Sequence, residues 1–224
     1  MAGQDRLIHS EQMTITLHPL DIFSQRISFA AHLIDDFTGQ SGLMGATTVS
    51  VEEQDRKALR NPSGYYVFSG IQGNNVTMLV KNMNYLIQEV PVTISTLNPR
   101  LPVVSVVMRP RYLYPFPSGT TMITGRVFDS GLQTPLANVA VKVVGATVNN
   151  KTDEEGRFVL YFTALTEDNI KITSGKRLIS INTSTTIQLY LTRTSYVSKY
   201  VSIGWVEEGR TKLIKDPILL SPTP

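Results

Sequence analysis

The chain has no cysteine among its 224 residues. Disulfide bonds and thiolate chemistry, whether catalytic or metal-binding, are therefore excluded. Because a secreted bacterial or archaeal protein can also lack cysteine, this absence favours a reducing compartment only weakly. It limits the chemistry of the protein more firmly than it limits the protein's location.

Long hydrophobic runs are missing as well. The N-terminal segment MAGQDRLIHSEQMTITLHPL has no apolar stretch of the roughly 7–15 residues that a signal peptide requires. No segment reaches the about 20 apolar residues of a membrane helix, so membrane insertion is not expected. We expect cytoplasmic synthesis without a classical signal peptide, followed by residence there or incorporation into an exported or particle-associated assembly. The glycosylation triplets at Asn75, Asn150 and Asn182 are then chance matches.

Histidine, the usual general base, is scarce. The three histidines are His9, His18 and His32, all near the N-terminus. His9 and Glu11 could ligate a metal together, but their spacing is not that of a helical H-E-x-x-H pair, and histidines without a function are more frequent. No nucleophile elbow, phosphate-binding loop or dinucleotide fingerprint occurs. The sequence predicts that the protein is not an enzyme and has no catalytic residues.

Charge is also limited, with 17% charged residues and a net charge of +3. The lysines and arginines are scattered among acids, whereas proteins that bind nucleic acids gather them on one face or stripe. Scattered charge is normally a solvated surface. We therefore expect no nucleic-acid partner.

One acidic run is a candidate cation site. Asp153, Glu154 and Glu155, with Asp168 further along the chain, offer carboxylate oxygens of the kind that bind calcium. The run lacks the alternating D-x-D-x-D-G spacing of a calcium loop, and solvated acids at a hairpin are the more frequent explanation. We therefore expect no metal ion and no cofactor.

Strand signals dominate what is present. Apolar and polar residues alternate in the segments 123–127, 139–143 and 187–191, which indicates strands with one face in a core. The segment EEQDRKALR, residues 52–60, is the one plausible helix. Short strands set off by Gly, Pro, Asn and Asp turns indicate a sandwich or barrel rather than βαβ units. In the first half, strands are predicted at residues 14–17, 26–34, 47–51, 65–71, 76–80, 90–94 and 102–108.

A proline-rich segment, RPRYLYPFPSG, separates the two halves. Its prolines, Pro110, Pro115 and Pro117, exclude a helix or a central strand. The segment is aromatic rather than rich in Gly and Ser, which favours a stiff connector packed between domains. A proline-rich recognition ligand is the alternative, although the spacing is not PxxP. The predicted parts are an N-terminal β-sandwich (1–110), a linker (111–119) and a second β-sandwich (120–224).

The two halves resemble each other in sequence. LIDDFTGQ in the first half parallels RVFDSGLQ in the second, and NPSGYYVFSGI parallels DEEGRFVLYFT. Setting Gly64 against Gly156 gives an offset of 92 residues, and Asp36 against Asp129 gives 93. Two landmarks at nearly one spacing favour tandem copies of one unit.

The second half carries a further pattern. TGRVFDSGLQTPLANVAVKVVG, followed by NKTDEEGRFVLYF, resembles the carboxypeptidase regulatory-like domains, also called transthyretin-like or prealbumin-like, most clearly in residues 120–165. In this pattern Pro135 and Leu136 re-enter the sheet, and Asp153 and Gly156 form a tight hairpin turn in which glycine tolerates a positive φ. The first half departs from the pattern, because Pro62 and its neighbour Ser63 replace the acidic turn.

The resemblance implies a fold and a broad function. It implies an all-β protein with two tandem antiparallel β-sandwich domains of transthyretin-like or immunoglobulin-like type, with no catalytic residues of their own. Domains of this kind serve as accessory, adhesive or scaffold modules, and the fold alone does not choose among these roles.

A late aromatic run bears on the choice. In YVSKYVSIGW, the side chains of Tyr196, Tyr200 and Trp205 could stack on a sugar or bind a partner if they are exposed. Packing in the core or between sheets is the more frequent role of such residues. An exposed planar cluster involving Trp205, Tyr200 or Tyr196 would favour a carbohydrate-binding or adhesion module.

We expect a non-catalytic structural or protein–protein interaction module within a larger assembly, such as a surface complex or a phage-tail-like particle. The expected partners are other protein chains, either further copies of this chain or different proteins. A carbohydrate-binding or adhesion module is the alternative. The apolar residues Ile218, Leu219 and Leu220 are expected to pack on this chain or on a neighbour.

Overall fold

The structure is a computed structural model that describes residues 27–224. Over these residues the protein is all-β, with 49% strand and 5% helix, which confirms the predicted fold class. The strand predicted at residues 14–17 lies outside the described residues, as do His9 and His18. In the part of the chain that the structure describes, no helix is long and apolar enough to cross a membrane.

Residues 27–224 contain eighteen strands and three short 3-10 helices, the latter at Glu52–Gln54, Ile94–Thr96 and Glu167–Asn169. The strands are β1 (Ile27–Asp35), β2 (Thr47–Val51), β3 (Arg56–Lys57), β4 (Leu59–Arg60), β5 (Tyr66–Ser69), β6 (Asn75–Asn82), β7 (Gln88–Thr93), β8 (Val103–Met108), β9 (Met122–Asp129), β10 (Ala140–Val143), β11 (Asn149–Lys151), β12 (Arg157–Tyr161), β13 (Ile170–Thr173), β14 (Lys176–Ile179), β15 (Ile187–Thr192), β16 (Lys199–Gly204), β17 (Thr211–Leu213) and β18 (Ile218–Leu220).

The first half is built from two four-stranded sheets. Their strand orders are β4-β5-β1-β8 and β3-β2-β6-β7. The inward side chains of both sheets form one hydrophobic core, because alternate residues of each strand point to the same face. Its largest buried members are Phe29, Phe68, Met78, Tyr85 and Met108.

The second half repeats this arrangement. One sheet has the order β11-β10-β15-β16, and in the other β9 lies between β12 on one side and β17 and β18 on the other. The alternating segments predicted from the sequence supply its core, since their apolar residues are buried. This core includes Ile123, Val127, Val139, Val141, Val143, Phe158, Leu160, Ile187, Leu189 and Leu191.

The two halves share the same strand order. β11-β10-β15-β16 corresponds to β3-β2-β6-β7, and β12-β9-β18 corresponds to β5-β1-β8. In the first half β1 pairs antiparallel with β5 and parallel with β8. In the second half β9 likewise pairs antiparallel with β12 and parallel with β18. The hairpin β13–β14 and the short strand β17 occur in the second half, and β4 occurs in the first, without a counterpart in the other half.

The helix predicted at residues 52–60 is wrong beyond its first turn. The 3-10 helix Glu52–Gln54 ends where Asp55 adopts a left-handed conformation with φ 47°. The remaining residues form β3, which pairs with β2, and β4, which pairs with β5. The segment has no apolar stripe to bury as a helix, and Leu59 is 76% exposed. Strand pairing satisfies its backbone groups instead.

The turn predicted at Gly156 has the expected conformation. Gly156 lies at φ 68°, and Gly64 in the matching turn lies at φ 86°. In each turn the glycine N–H donates to the carbonyl oxygen three residues earlier, at Asp153 and Asn61 respectively, over 3.0 Å. The asparagine of NPSG therefore holds the place of Asp153 in the acidic turn.

The C-terminal apolar residues pack on their own chain. Ile218 is 5% exposed and Leu220 is 1% exposed, and both lie in the core of the second half. Strand β18 runs parallel to β9, pairing Ile218 with Val127. Leu219, between them, points outward and is 37% exposed. The expectation of packing on this chain is confirmed for the two residues that face the core.

Candidate functional site

The proline-rich connector contacts both halves. The Tyr114 side chain is buried in the core of the first half. Phe116 lies between two rings, 4.6 Å from the centroid of Tyr114 and 5.3 Å from that of Tyr161 in the second half. The carbonyl oxygen of Pro110 accepts a hydrogen bond of 2.8 Å from Nδ2 of Asn150. We call this contact region, formed by residues 109–116 with Asp36, Phe37, Asn150, 153–157 and Tyr161, the junction.

The acidic run is the charged part of the junction. Nη2 of Arg111 lies 3.3 Å from Oδ2 of Asp153, 3.5 Å from Oε2 of Glu154 and 3.1 Å from Oε2 of Glu155. Arg157 adds a contact of 3.1 Å from Nε to Oδ2 of Asp153. The Asp153 side chain is completely buried, so this ion pairing compensates the cost of its desolvation.

This pairing bears on the candidate calcium site. The two guanidinium groups supply the positive charge that a calcium ion would bring to Asp153 and Glu155. Asp168 lies in the 3-10 helix Glu167–Asn169, a separate element. Among residues 27–224, histidine, aspartate and glutamate side chains form no group of three that could hold a metal ion.

A second polar contact joins the halves beside the aromatic rings. The hydroxyl of Tyr161 donates a hydrogen bond of 2.6 Å to Oδ2 of Asp36. Burial of the ring, together with this hydrogen bond, raises the pKa of the Tyr161 hydroxyl. The hydroxyl therefore remains a protonated donor. Phe37 packs against Tyr161 edge-on, with centroids 5.7 Å apart.

Buried carboxylates in each half serve the fold. Oδ2 of Asp35 accepts hydrogen bonds from the hydroxyls of Tyr85 at 2.8 Å and Tyr114 at 2.7 Å. Oδ2 of Asp129 accepts one from the hydroxyl of Tyr196 at 2.8 Å. Burial and the hydrogen bond to Asp35 raise the pKa of Tyr85 to about 12. A backbone hydrogen bond from Leu132 and the Tyr196 hydroxyl lower the pKa of Asp129.

Both carboxylates therefore act as hydrogen-bond acceptors within the fold. The sequence pattern identified only one of these two aspartates correctly. It paired Asp36 with Asp129, but the residue that holds the place of Asp129 is Asp35, one position earlier. Asp36 instead forms the contact with Tyr161 across the junction.

His32 is the one histidine within the described residues. It lies on β1, half-buried, and its ring stacks on that of Tyr65 with centroids 5.0 Å apart. Stacking of this kind is a packing role.

A cleft of about 870 Å³ runs along the junction. It is lined by residues of both halves, including Asp36, Arg109, Lys151 and Glu154. The cleft is mostly polar, whereas small-molecule sites are usually mostly apolar. Its walls contain no histidine among the described residues.

The late aromatic residues have three different environments. Tyr196 is half-buried against the core, as predicted. Tyr200 is 62% exposed and Trp205 is 45% exposed, so the prediction of core packing is wrong for these two. Tyr200 lies on β16, the last strand of its sheet, and Trp205 directly follows that strand.

Each exposed ring has neighbours of its own. Tyr200 stacks against Tyr190 of β15 with centroids 4.6 Å apart, and Nζ of Lys142 lies 4.8 Å from the Tyr190 centroid. Trp205 lies 4.6 Å from Nζ of Lys176 and 5.2 Å from Nζ of Lys212. The three late aromatics thus do not form the planar cluster considered from the sequence.

Sequence reasoning missed two features that matter here. Arg111 carries the ionic contacts of the junction, and nothing in RPRYLYPFPSG marks it as different from Arg109. The second feature is a zone without acids. Between Asp168 and Glu207 the chain contains no aspartate or glutamate, and this signal was available in the sequence.

No protein-family profile matches the chain, and no curated protein matches it. Among solved structures, the chain is similar to a double mutant of the shaft pilin SpaA from Lactobacillus rhamnosus GG. The identity is 10% and the TM-score 0.30, over 90% of this chain and 99% of the pilin. It is also similar to the Bacillus anthracis TIE protein, at 12% identity and a TM-score of 0.30, over 87% of this chain and 34% of that one.

A third similarity is to a type II cohesin–X-dockerin complex from Acetivibrio cellulolyticus, at 19% identity and a TM-score of 0.28. The match covers 45% of this chain and 56% of that chain, so the present chain spans about half of its length. Resemblance of this degree carries no conclusion about what the present chain binds or does.

Proposed function

We propose that this protein is a non-enzymatic, two-unit β module that works as a structural or interaction component of a larger protein assembly. The observation that carries the proposal is the junction. The connector forms ionic, hydrogen-bonded and aromatic contacts with the second half, through Arg111, Pro110 and Phe116 respectively. A module that only had to tether two binding domains would not need these contacts.

The junction supports a structural role through its geometry. Ion pairs at one end and packed rings at the other contact the second half at separate points, which opposes both bending and twisting. Interfaces between domains of one chain are usually permissive of motion unless they are large or well packed. Two units held at a fixed angle keep a fixed distance between the neighbouring proteins that they contact in an assembly.

We also propose that the halves are copies of one unit, the second of carboxypeptidase regulatory-like type. The shared strand order, the matching turns at Gly64 and Gly156, and the equivalent Asp35 and Asp129 support the duplication. The resemblance of residues 120–165 supports the family. On this proposal the parts are residues 1–110, a linker at 111–119 and residues 120–224.

The surroundings of the candidate residues support the absence of catalysis. The buried carboxylates accept hydrogen bonds from tyrosine hydroxyls and backbone N–H groups, and the acidic run is ion-paired. The partners that we propose are other protein chains. Synthesis in the cytoplasm and incorporation into a surface or particle-associated assembly remain part of the proposal.

Native mass spectrometry of the protein purified from its source tests this function. We expect the chain in a complex with other proteins at a fixed ratio. A strictly monomeric protein with no protein partner would contradict the proposal.

Carbohydrate binding or adhesion is the second candidate, favoured by the exposed rings of Tyr200 and Trp205. Aromatic rings on a sheet face can stack on sugars. A glycan array distinguishes the two candidates, because a monomer that binds a defined glycan through Trp205 supports this one. We rank it second because both rings already have stacking or cation neighbours.

A further inference from the structure

The outer edges of two equivalent strands differ between the halves. β7 pairs with β6 and β16 pairs with β15, each at the end of its sheet. In the first half Thr77 lies opposite Pro91, and in the second Gln188 lies opposite Ser202. Since β6 and β15 also pair equivalently with β2 and β10, Pro91 and Ser202 hold the same position.

The first half protects its edge in the manner of soluble β proteins. An edge strand exposes unpaired N–H and C=O groups, and prolines and charged side chains prevent another strand from adding there. β7 carries Glu89 and Pro91. The equivalent positions of β16 carry Tyr200 and Ser202, and β16 contains no proline and no acid. β16 therefore lacks the proline and the acid of β7 at these two positions, and its one charged residue, Lys199, donates to the Leu219 carbonyl oxygen.

The side chains of β16 are also incompletely covered. Ile203 is only half-buried at the margin of the core, at the point where the register between β15 and β16 shifts. Val201 lies beside it, half-buried as well. On the opposite face Tyr200 is 62% exposed. One additional strand would cover apolar surface on both faces of the sheet.

The C-terminal segment pairs with the residues before β16, where the N–H of Val197 donates to the Ser221 carbonyl oxygen and the N–H of Thr223 to the Ser195 carbonyl oxygen. Within residues 27–224, the backbone of β16 hydrogen-bonds with β15 and with no further strand. The chain leaves the sheet at Gly204, and the next residues pair with β14 through the bridge of Glu207 with Leu178.

The charged residues around the edge favour a partner with net negative charge. The strands β11, β10, β15 and β16 contain Lys142, Lys151 and Lys199 but no aspartate or glutamate. The loop between β15 and β16 adds Arg193 and no acid. A segment with net negative charge fits this sheet, and a second copy paired edge to edge would bring like charges together.

We propose that the outer edge of β16 binds an extended, net acidic segment of a different protein as an added strand. This rests on the proposed function and specifies one surface through which it acts. Alternate side chains of the added strand are apolar, because they cover Val201 and Ile203. Backbone pairing favours a polypeptide over a nucleic acid, which has no N–H and C=O ladder to offer.

The test is a selection of random peptides of about 10 residues, the usual upper length of a strand, displayed on phage against the whole protein. We expect enriched peptides with net negative charge and alternating apolar residues. Their binding is measured through the fluorescence of Trp205, the only tryptophan of the chain, which directly follows β16. Peptides without this pattern, or no enrichment at all, would overturn the proposal.

Variants locate the binding at the edge. Ser202→Pro transplants the first-half residue, removes an outward N–H and should weaken binding by about tenfold or more. Ser202→Ala keeps the N–H and should bind like the parent protein. Tyr200→Glu, the other first-half residue, should also weaken binding. Circular dichroism and melting establish that each variant is folded.

The remaining outcomes are decided by parallel measurements. Equal binding by Ser202→Pro and Ser202→Ala would exclude the edge as the site. Retention of a single-stranded oligonucleotide in place of acidic peptides, or self-association abolished by Ser202→Pro, would replace the partner class and contradict the proposal. If native mass spectrometry finds the chain in an assembly while no acidic peptide binds, the proposed function survives and this inference fails.

Discussion

Asp35 and Asp129 hold equivalent positions in the two halves, each as the last residue of the central strand of its sheet. Both are 2% exposed. In each, Oδ1 accepts backbone N–H groups from the residues two and three positions further on. In each, Oδ2 accepts tyrosine hydroxyls from elsewhere in the same half or its connector. One buried carboxylate thus closes the turn after each central strand.

Replacing Asp35 should cost far more stability than replacing its neighbour. Asp35→Ala removes the acceptor of the Tyr85 and Tyr114 hydroxyls and of two backbone N–H groups. We expect a loss of about 3–5 kcal/mol in the free energy of unfolding. Asp36→Ala, which loses the hydrogen bond from Tyr161, should lose about 1–2 kcal/mol. Urea unfolding of both variants checks this, and equal losses would contradict the assignment of Asp35.

Gly156 and Gly64 provide a matched pair for the turns. A Cβ at Gly156 would lie 2.5 Å from the Val127 carbonyl oxygen, whereas a Cβ at Gly64 would meet nothing within 4 Å. Both glycines have positive φ, so alanine strains either turn by about 1–2 kcal/mol. Gly156→Ala adds the steric clash, and we expect a total loss of about 3–5 kcal/mol. If thermal melts showed the same loss of stability in both variants, the backbone at Val127 would have to move away from the added Cβ without a cost in stability.

Residues 119–224 should fold without the first half. The buried core of the second half draws its members from Ile123 to Leu220 and includes no residue of the first half. We expect a fragment of residues 119–224 to give a β-type circular dichroism spectrum and one cooperative melt. An unfolded fragment would mean that the halves depend on each other for folding, and the two-domain proposal would be abandoned.

The junction should lose its rigidity when Arg111 is replaced. Arg111→Met removes the contacts with three acidic residues and leaves the buried Asp153 with Arg157 alone. We expect about 1–3 kcal/mol of destabilisation and a wider distribution of distances between the halves. Small-angle X-ray scattering and urea unfolding measure the two effects. Lys81→Met, which breaks the exposed pair with Glu52, is the control and should change stability by less than about 0.5 kcal/mol.

Stability should fall in alkaline solution as buried tyrosines ionise. The folded state raises the pKa of Tyr85 from 10.0 to about 12, and it also raises the pKa values of Tyr114 and Tyr161. Because the folded state keeps these protons, their contribution is complete below pH 10 and is lost as pH rises toward 12. Urea unfolding at pH 8, 10 and 11 should show this decline. Tyr85→Phe should make the decline shallower, and an unchanged slope would contradict the role of Tyr85.

Much of the fold could be predicted because it depends on local pattern. Alternation along residues 123–127, 139–143 and 187–191 identified the strands whose inward residues form the second core. The conformation of Gly156 followed from its turn motif, since only glycine adopts a positive φ there without strain. The strand at Thr47–Val51 was predicted to the residue.

Where the pattern was weak, less of the structure could be predicted. Residues 52–60 have helix-forming composition but no apolar stripe, and pairing with β2 and β5 decided their conformation. The offset between the halves was one residue in error at Asp36, because two adjacent aspartates look alike in a sequence. Only the hydrogen bonds distinguish the one that closes the turn from the one that contacts Tyr161.

The sequence by itself determined that the chain is built from short amphipathic strands, because a period of two residues is a property of the chain and needs no partner. It also determined the absence of thiol chemistry and the acid-free zone around β16. Only the tertiary structure decided that Arg111 contacts the acidic turn and that Tyr200 faces solvent at the edge of its sheet. The exposure of Tyr200 depends on which strand ends the sheet, and the contact of Arg111 joins segments 42 residues apart in sequence. Packing of the whole chain determines both.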